Sequence, residues 1–188
     1  MEGKLFIFSA PSGSGKTTIV HNLLQKDLGL EFSISATSRP KRDNETHKKD
    51  YYFISADEFK AKIAQDEFLE WEEVYENRFY GTFKSEINRI WAKGKHVVFD
   101  VDVVGGINIK KYFGDKALSI FVMPPSVDEL ENRLRKRSTD SDEDIKVRVA
   151  KATEELSYAK NFDLVIINDK LDSAINEAQE AVRNFINS

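Results

Sequence analysis

Eight consecutive residues, Ala10-Pro11-Ser12-Gly13-Ser14-Gly15-Lys16-Thr17, have the composition of a cradle for anions. A chain of phosphate groups carries several negative charges and needs donors at short range. Gly13 and Gly15 let the backbone curl so that successive N–H groups point inward as a nest. A helix opening at this point adds the positive end of its dipole. Lys16 brings a mobile charge that can follow a phosphoryl group in transfer. Thr17 offers a hydroxyl to Mg²⁺, and Thr18 continues the same turn. The run departs from the P-loop consensus once: its first glycine is Ala10, which fits if φ stays negative.

Such a cradle works only between a strand and a helix. Leu5 to Phe8 form an apolar run that predicts a buried strand, and Ile19, Val20, Leu23, Leu24 and Leu28 recur on one helical face. The plainer alternative is a Gly/Ser turn joining the two. The Gly-Lys-Thr-Thr order directly after a strand favours phosphate binding over that alternative.

Other residue types bear on the same chemistry. Val97-Val98-Phe99-Asp100 is an apolar strand ending in a carboxylate, the pattern that brings an acid near a P-loop metal. Arg39 and Arg42 lie three apart in a polar stretch with Tyr51 and Tyr80 further along. Guanidinium forks and phenol hydroxyls suit a second phosphate group, against the plainer reading of a solvated charged loop. Arg133, Arg137 and Arg148 bracket the polar run 135–144, which predicts a mobile loop able to close over a nucleotide. The alternative is a surface helix whose cations sit near its C-terminal end. His21, His47 and His96 have no partners at metal-ligand spacing, so neither zinc nor a histidine base is expected.

The remaining elements must hold these groups together. Phe32, Ile34 and Ala36 alternate with Ser33, Ser35 and Thr37, predicting one half-buried strand over 32–37. Pro40 keeps a regular helix out of 38–50, and residues 51–54 read as a strand. Ser55 and Glu58, and later Ser126 and Glu129, have capping-box spacing at helix starts. Strands are expected over 68–74, 78–82, 96–101, 118–123 and 163–167. Helical spacing recurs from Phe83 to Trp91, from Ile145 to Ala159, and over 171–186. Strands alternating with helices predict a mainly parallel α/β sheet with helices on both faces. Ligands of such sheets collect at the carboxyl ends of the strands, where the P-loop, Asp100 and Asn168 fall.

The chain of 188 residues is long enough for one domain with a real core, and its net charge of -4 argues against a broad nucleic-acid or membrane surface. There are no cysteines, hence no disulfides, thiolate zinc site or thiol nucleophile. No leader precedes the first strand and no apolar run spans a bilayer, so a cytoplasmic enzyme is expected.

Three segments together resemble guanylate kinases: Ser9 to Thr18; Ser33 to Arg42 with Asp50-Tyr51-Tyr52-Phe53; and Glu67 to Trp71 followed by Tyr80-Gly81-Thr82. The likeness runs along nearly the whole chain, through Pro124-Pro125-Ser126 and Val165 to Asn168. It implies a P-loop kinase fold in three parts. A CORE would comprise 1–32, 84–125 and 149–188, a GMP-binding region 33–83, and a LID 126–148. It implies Mg²⁺-dependent transfer of the ATP γ-phosphoryl to GMP or dGMP. Arg39, Arg42, Tyr51 and Tyr80 would hold the GMP phosphate, and Ser35, Glu70 and Thr82 would read the guanine. Asp100 would lie near substrate and metal. Residues 10–18 with Arg133, Arg137 and Asn168 would bind ATP, with Lys16, Arg39, Arg137 and Arg148 stabilising the transfer.

Guanine presents N1–H and N2–H side by side, two donors that an ionised Glu70 can accept, whereas adenine offers an acceptor at N1. The chain departs from the family at Lys49 and Ser138, where glycine is usual. The rivals are a ribose bisphosphate kinase, which should lack the base-reading set, and a guanylate-kinase-like protein-binding module, which should have a degraded P-loop.

Overall fold

The computed structural model describes residues 2–137 and 142–188. The chain opens with β1 (Leu5–Ser9), every residue of it buried, and turns through the Gly/Ser loop into α1 (Lys16–Leu24). α1 is shorter than its apolar spacing predicts: Leu28 lies beyond its end, buried in the turn that follows.

The single strand expected over 32–37 is two strands in two sheets: β2 (Leu30–Phe32) and β3 (Ala36–Thr37). The reason is a buried carboxylate. Ser33 N still donates to Val98 O, but Ile34 N donates to Glu86 Oε2 at 2.8 Å, which takes the chain out of one ladder before it joins the next. The smaller layer continues with β4 (Tyr52–Phe53), α2 (Ala56–Ala64), β5 (Phe68–Tyr75) and β6 (Arg78–Phe83), its strands ordered β4-β3-β6-β5. Ser55 caps α2 by accepting from Glu58 N, as its spacing predicts. Phe59, Phe68, Phe79 and Phe83 stack into the core of this layer.

α3 (Lys84–Trp91) leads back to β7 (His96–Asp100). Next comes α4 (Val103–Phe113), a helix that apolar spacing does not announce. Its first turn contains Gly105-Gly106, poor helix formers that are there for close approach. A Cβ on Gly106 would lie 2.3 Å from Ser9 Oγ, and one on Gly105 would lie 3.0 Å from Glu70 Oε2. β8 (Ala117–Met123), α5 (Val127–Arg137), α6 (Asp142–Leu156), β9 (Leu164–Ile167) and α7 (Leu171–Ile186) complete the chain. Ser126 caps α5, accepting from Glu129 N. Much of the expected 135–144 loop is helix, in the end of α5 and the start of α6, joined by Arg135 Nη1 donating to Asp142 Oδ1 at 2.6 Å. The rest of that loop, with Ser138, lies outside the described residues.

The five-stranded sheet is all parallel in the order β2-β7-β1-β8-β9. α1 and α7 cover one face around Phe6, Phe8, Val98 and Ile120; α3 and α4 cover the other around Leu5, Ile7, Val97 and Phe99.

Glu86 ties the two layers together. Besides Ile34 N it accepts from Tyr52 Oη at 2.6 Å and from Arg89 Nε and Nη2, each at 2.8 Å. Burial pushes its carboxyl up, but these bonds outweigh burial and hold it below the ordinary range. Glu86→Ala should therefore cost about 3 kcal/mol of stability, because it strands buried donors as well as removing bonds. The check is a urea titration, with a lower midpoint and an unchanged slope; an unchanged midpoint would mean the crossover is held by something else.

Candidate active site

The loop after β1 has the conformation that its glycines allow. Gly13 and Gly15 have φ of 91° and 90°, left-handed values, while Ala10 keeps a negative φ. Gly15 is the cap of α1 and no side chain bonds the first turn, so those N–H groups are left to a ligand. Asn168, at the carboxyl end of β9, braces the loop from beneath: its Nδ2 donates to Ser14 O at 2.7 Å. A Cβ on Gly15 would lie 2.3 Å from that same nitrogen.

The parallel register sets Phe8 of β1 beside Asp100 of β7, which brings the carboxylate level with the loop. Lys16 Nζ stands 2.6 Å from Asp100 Oδ1 and donates to Val101 O at 2.7 Å. Thr17 Oγ1 donates to Asp100 Oδ2 at 3.0 Å. Hydroxyl and carboxylate oxygens so close together are the hard donors that Mg²⁺ takes.

A cavity of about 480 Å³ opens on this loop and is lined from both layers. Residues 10–17 and Asp100 border it on the sheet side, Ser35, Tyr51, Glu70 and Tyr80 on the small-layer side, and Arg148 from α6. Glu70 is the unusual group. Burial pushes its carboxyl up to about 7, against the hydrogen bond from Thr82. Thr82 Oγ1 donates to Glu70 Oε1 at 2.7 Å, so its hydroxyl hydrogen is used inside the protein.

Several expected residues sit elsewhere. Asn168 is buried beneath the loop, with its amide on Ser14 instead of in the cavity. Arg133 donates to Glu129 Oε1 at 2.9 Å and to Asn168 O at 3.0 Å, bracing α5 against the end of β9. Arg39 and Arg42 do not line the cavity; the Arg39 guanidinium packs 5.1 Å from the Tyr51 ring, and Arg42 is exposed. Thr18 lies in the first turn of α1. The side chain of Arg137 lies outside the described residues.

Four charged cavity residues escape the sequence reading: Glu72, Asp102, Lys151 and Glu155. Asp102 caps α4, accepting from Gly105 N at 2.7 Å. Burial, then the hydrogen bond with Asp102, raises Glu72; burial raises Glu155. A signal was present for some of them: Glu70 and Glu72 share a strand face two apart, and Arg148, Lys151 and Glu155 follow helical spacing.

The family model for guanylate kinase matches residues 2–185. A guanylate kinase of Bacteroides fragilis is 57% identical over 185 residues, covering 98% of this chain and 91% of its own length. One from Porphyromonas gingivalis is 53% identical, covering 97% and 98%. A crystal structure of guanylate kinase from Anaplasma phagocytophilum superposes with a TM-score of 0.78 at 27% identity, covering 98% of this chain and 86% of that one. With the P-loop, its acidic strand end and a cavity shared with the small layer already in view, the chain belongs to the guanylate kinase family, nucleoside monophosphate kinases that move the γ-phosphoryl of ATP to GMP.

Proposed function

We propose that the cavity binds GMP on its small-layer side and the ATP phosphates in the loop, with residues 33–83 as the GMP-binding region and 126–148 as a LID. The observation that carries this reading is that Glu70 and Ser35 border the same cavity as Lys16 and the glycine nest. Glu70 accepts guanine N1–H and N2–H. Ser35 donates to O6, since the Thr82 hydrogen is already given to Glu70. Tyr51 and Tyr80 meet the GMP phosphate at the cavity wall, and Arg39, packed against Tyr51, and Arg42 reach it from the adjoining 38–50 loop on binding. Cytoplasmic GMP recycling, with dGMP as an alternative acceptor, is the setting that suits these substrates.

The phosphate oxygen of GMP is itself the nucleophile, so no strong base is required. Positioning and neutralisation of charge account for most of the lowering of the barrier. Lys16 leaves Asp100 to follow the transferring phosphoryl. Thr17 and Asp100 would hold Mg²⁺, whose chemistry when bound is to neutralise charge on the β- and γ-phosphates. Arg148 approaches from α6, and Arg137 shares its role of adding charge, while the closed site excludes water. Asn168 acts on ATP through the loop that it braces, and Arg133 acts through Asn168.

The test is ADP release, coupled to a spectrophotometric readout, with AMP, CMP, UMP, GMP and dGMP as acceptors. GMP and dGMP should be used about a thousandfold better than the others. Equal use of AMP would defeat the base-reading assignment.

A further inference from the structure

Arg39 is bound to a carboxylate six residues away. Its Nη1 donates to Glu45 Oε2 at 2.7 Å and its Nη2 to Glu45 Oε1 at 2.5 Å, a two-pronged pair in which both side chains are little exposed. Glu45 also accepts from Arg42 N at 2.8 Å, so one carboxylate fastens both arginines of the 38–50 loop. The head of Arg39 lies 5.1 Å from the ring centre of Tyr51 and 5.4 Å from that of Phe53, and its Nη1 also donates to Pro40 O at 3.0 Å. The rings of Tyr51 and Tyr80 are 6.2 Å apart, and both border the cavity.

A guanidinium has two edges that can each take a pair of oxygens. Glu45 occupies the end-on edge. The Nε side stays clear of Glu45, and the head packs against Tyr51, whose ring borders the cavity. An arginine without such an anchor would keep many rotamers and would have to give up that freedom on binding. We propose that Glu45 is a positioning residue for the GMP phosphate: it fixes Arg39 by one edge and Arg42 by its backbone, so that the guanidinium meets the phosphate already aimed. This rests on the reading of Arg39 as a phosphate ligand. The Arg39 fork holds the Glu45 carboxyl down at about 2, so the anchor keeps its charge across the working pH range.

The opposite possibility is that Glu45 competes with the phosphate for the same edge, and the two make opposite predictions. Calorimetric titration of GMP and of guanosine, which lacks the phosphate, separates base binding from phosphate binding. The full chain, R39A, E45Q and E45D are compared. R39A should lose most of the preference for GMP over guanosine. E45Q should lose about tenfold of it, the difference between charged and neutral hydrogen bonds, with guanosine affinity unchanged. E45D, which keeps the charge on a shorter stem, should lie between and serves as the reporter if E45Q does not fold. A preference equal to or above that of the parent in E45Q, or equal weakening of GMP and guanosine, overturns the role of Glu45. If R39A itself keeps the preference, the phosphate-ligand reading has failed, and the Glu45 proposal falls with it.

Discussion

Lys16→Ala should lower kcat by about a thousandfold, the size expected when a preorganised cation is removed from a developing phosphoryl charge. In the structure Lys16 is held by Asp100 and by the Val101 carbonyl, both at the end of β7. Those contacts keep the ammonium beside the nest without committing it to one phosphate, since a lysine is a point charge on a flexible stem. Without it, Asp100 still accepts from Thr17, so the local structure keeps a partner for the carboxylate. The fold should survive, because the sheet core around Phe6, Phe8 and Val98 lies beneath the loop. The check is kcat by ADP release beside a thermal melt of the same sample. Turnover within tenfold of the parent would count against the loop as the phosphate site.

Glu70→Gln should collapse the preference of the enzyme for GMP over AMP by about a thousandfold. In the proposed site the carboxylate accepts from both guanine donors, whereas a glutamine would turn one of its own donors toward them and leave a buried pair unsatisfied. The same amide suits adenine, accepting from N6 and donating to N1, so AMP use should rise as GMP use falls.

The environment of Glu70 adds a pH dependence. Burial raises its carboxyl from an ordinary 4.5 to about 7. The folded protein therefore holds a proton between those values that the unfolded chain does not. Stability of the empty enzyme falls as pH rises through that window. GMP binding needs the ionised form, so KM for GMP should rise about tenfold for each pH unit below 7 and level off above it. In Glu70→Gln that slope should vanish. A parent enzyme whose KM for GMP is flat from pH 5.5 to 8 would show that another group receives the guanine.

Much of this architecture could be read from residue patterns because local chemistry and tertiary structure agree. The P-loop, both capping boxes and the closing helix over 171–186 have local signals, and each element forms where its signal lies. The failures have specific causes. Alternation from Phe32 to Thr37 is genuine, but Glu86, some fifty residues on, takes the Ile34 amide and sends the strand into a second sheet. α4 is hidden because Gly105 and Gly106 serve contacts with Glu70 and Ser9 instead of helix propensity. In the site, Lys16, Thr17 and Asp100 meet as their motifs imply. Asn168 and Arg133 could not be assigned from spacing alone, since only the packed end of β9 shows Asn168 bracing the loop and Arg133 bonded to Asn168. Glu45 stands in a charged run that offers no reason to prefer it to its neighbours until the fork of Arg39 closes on it.

The paired glycines at the head of α4 bear on engineering the acceptor choice. Gly105 lies against one oxygen of Glu70, and Gly106 is wedged on Ser9 of the first strand, so the helix cannot retreat. A redesigned side chain at position 70 can therefore grow only into the cavity it borders, not toward α4. A larger group aimed at α4 would require the end of β1 at Ser9 and the head of that helix to be rebuilt together.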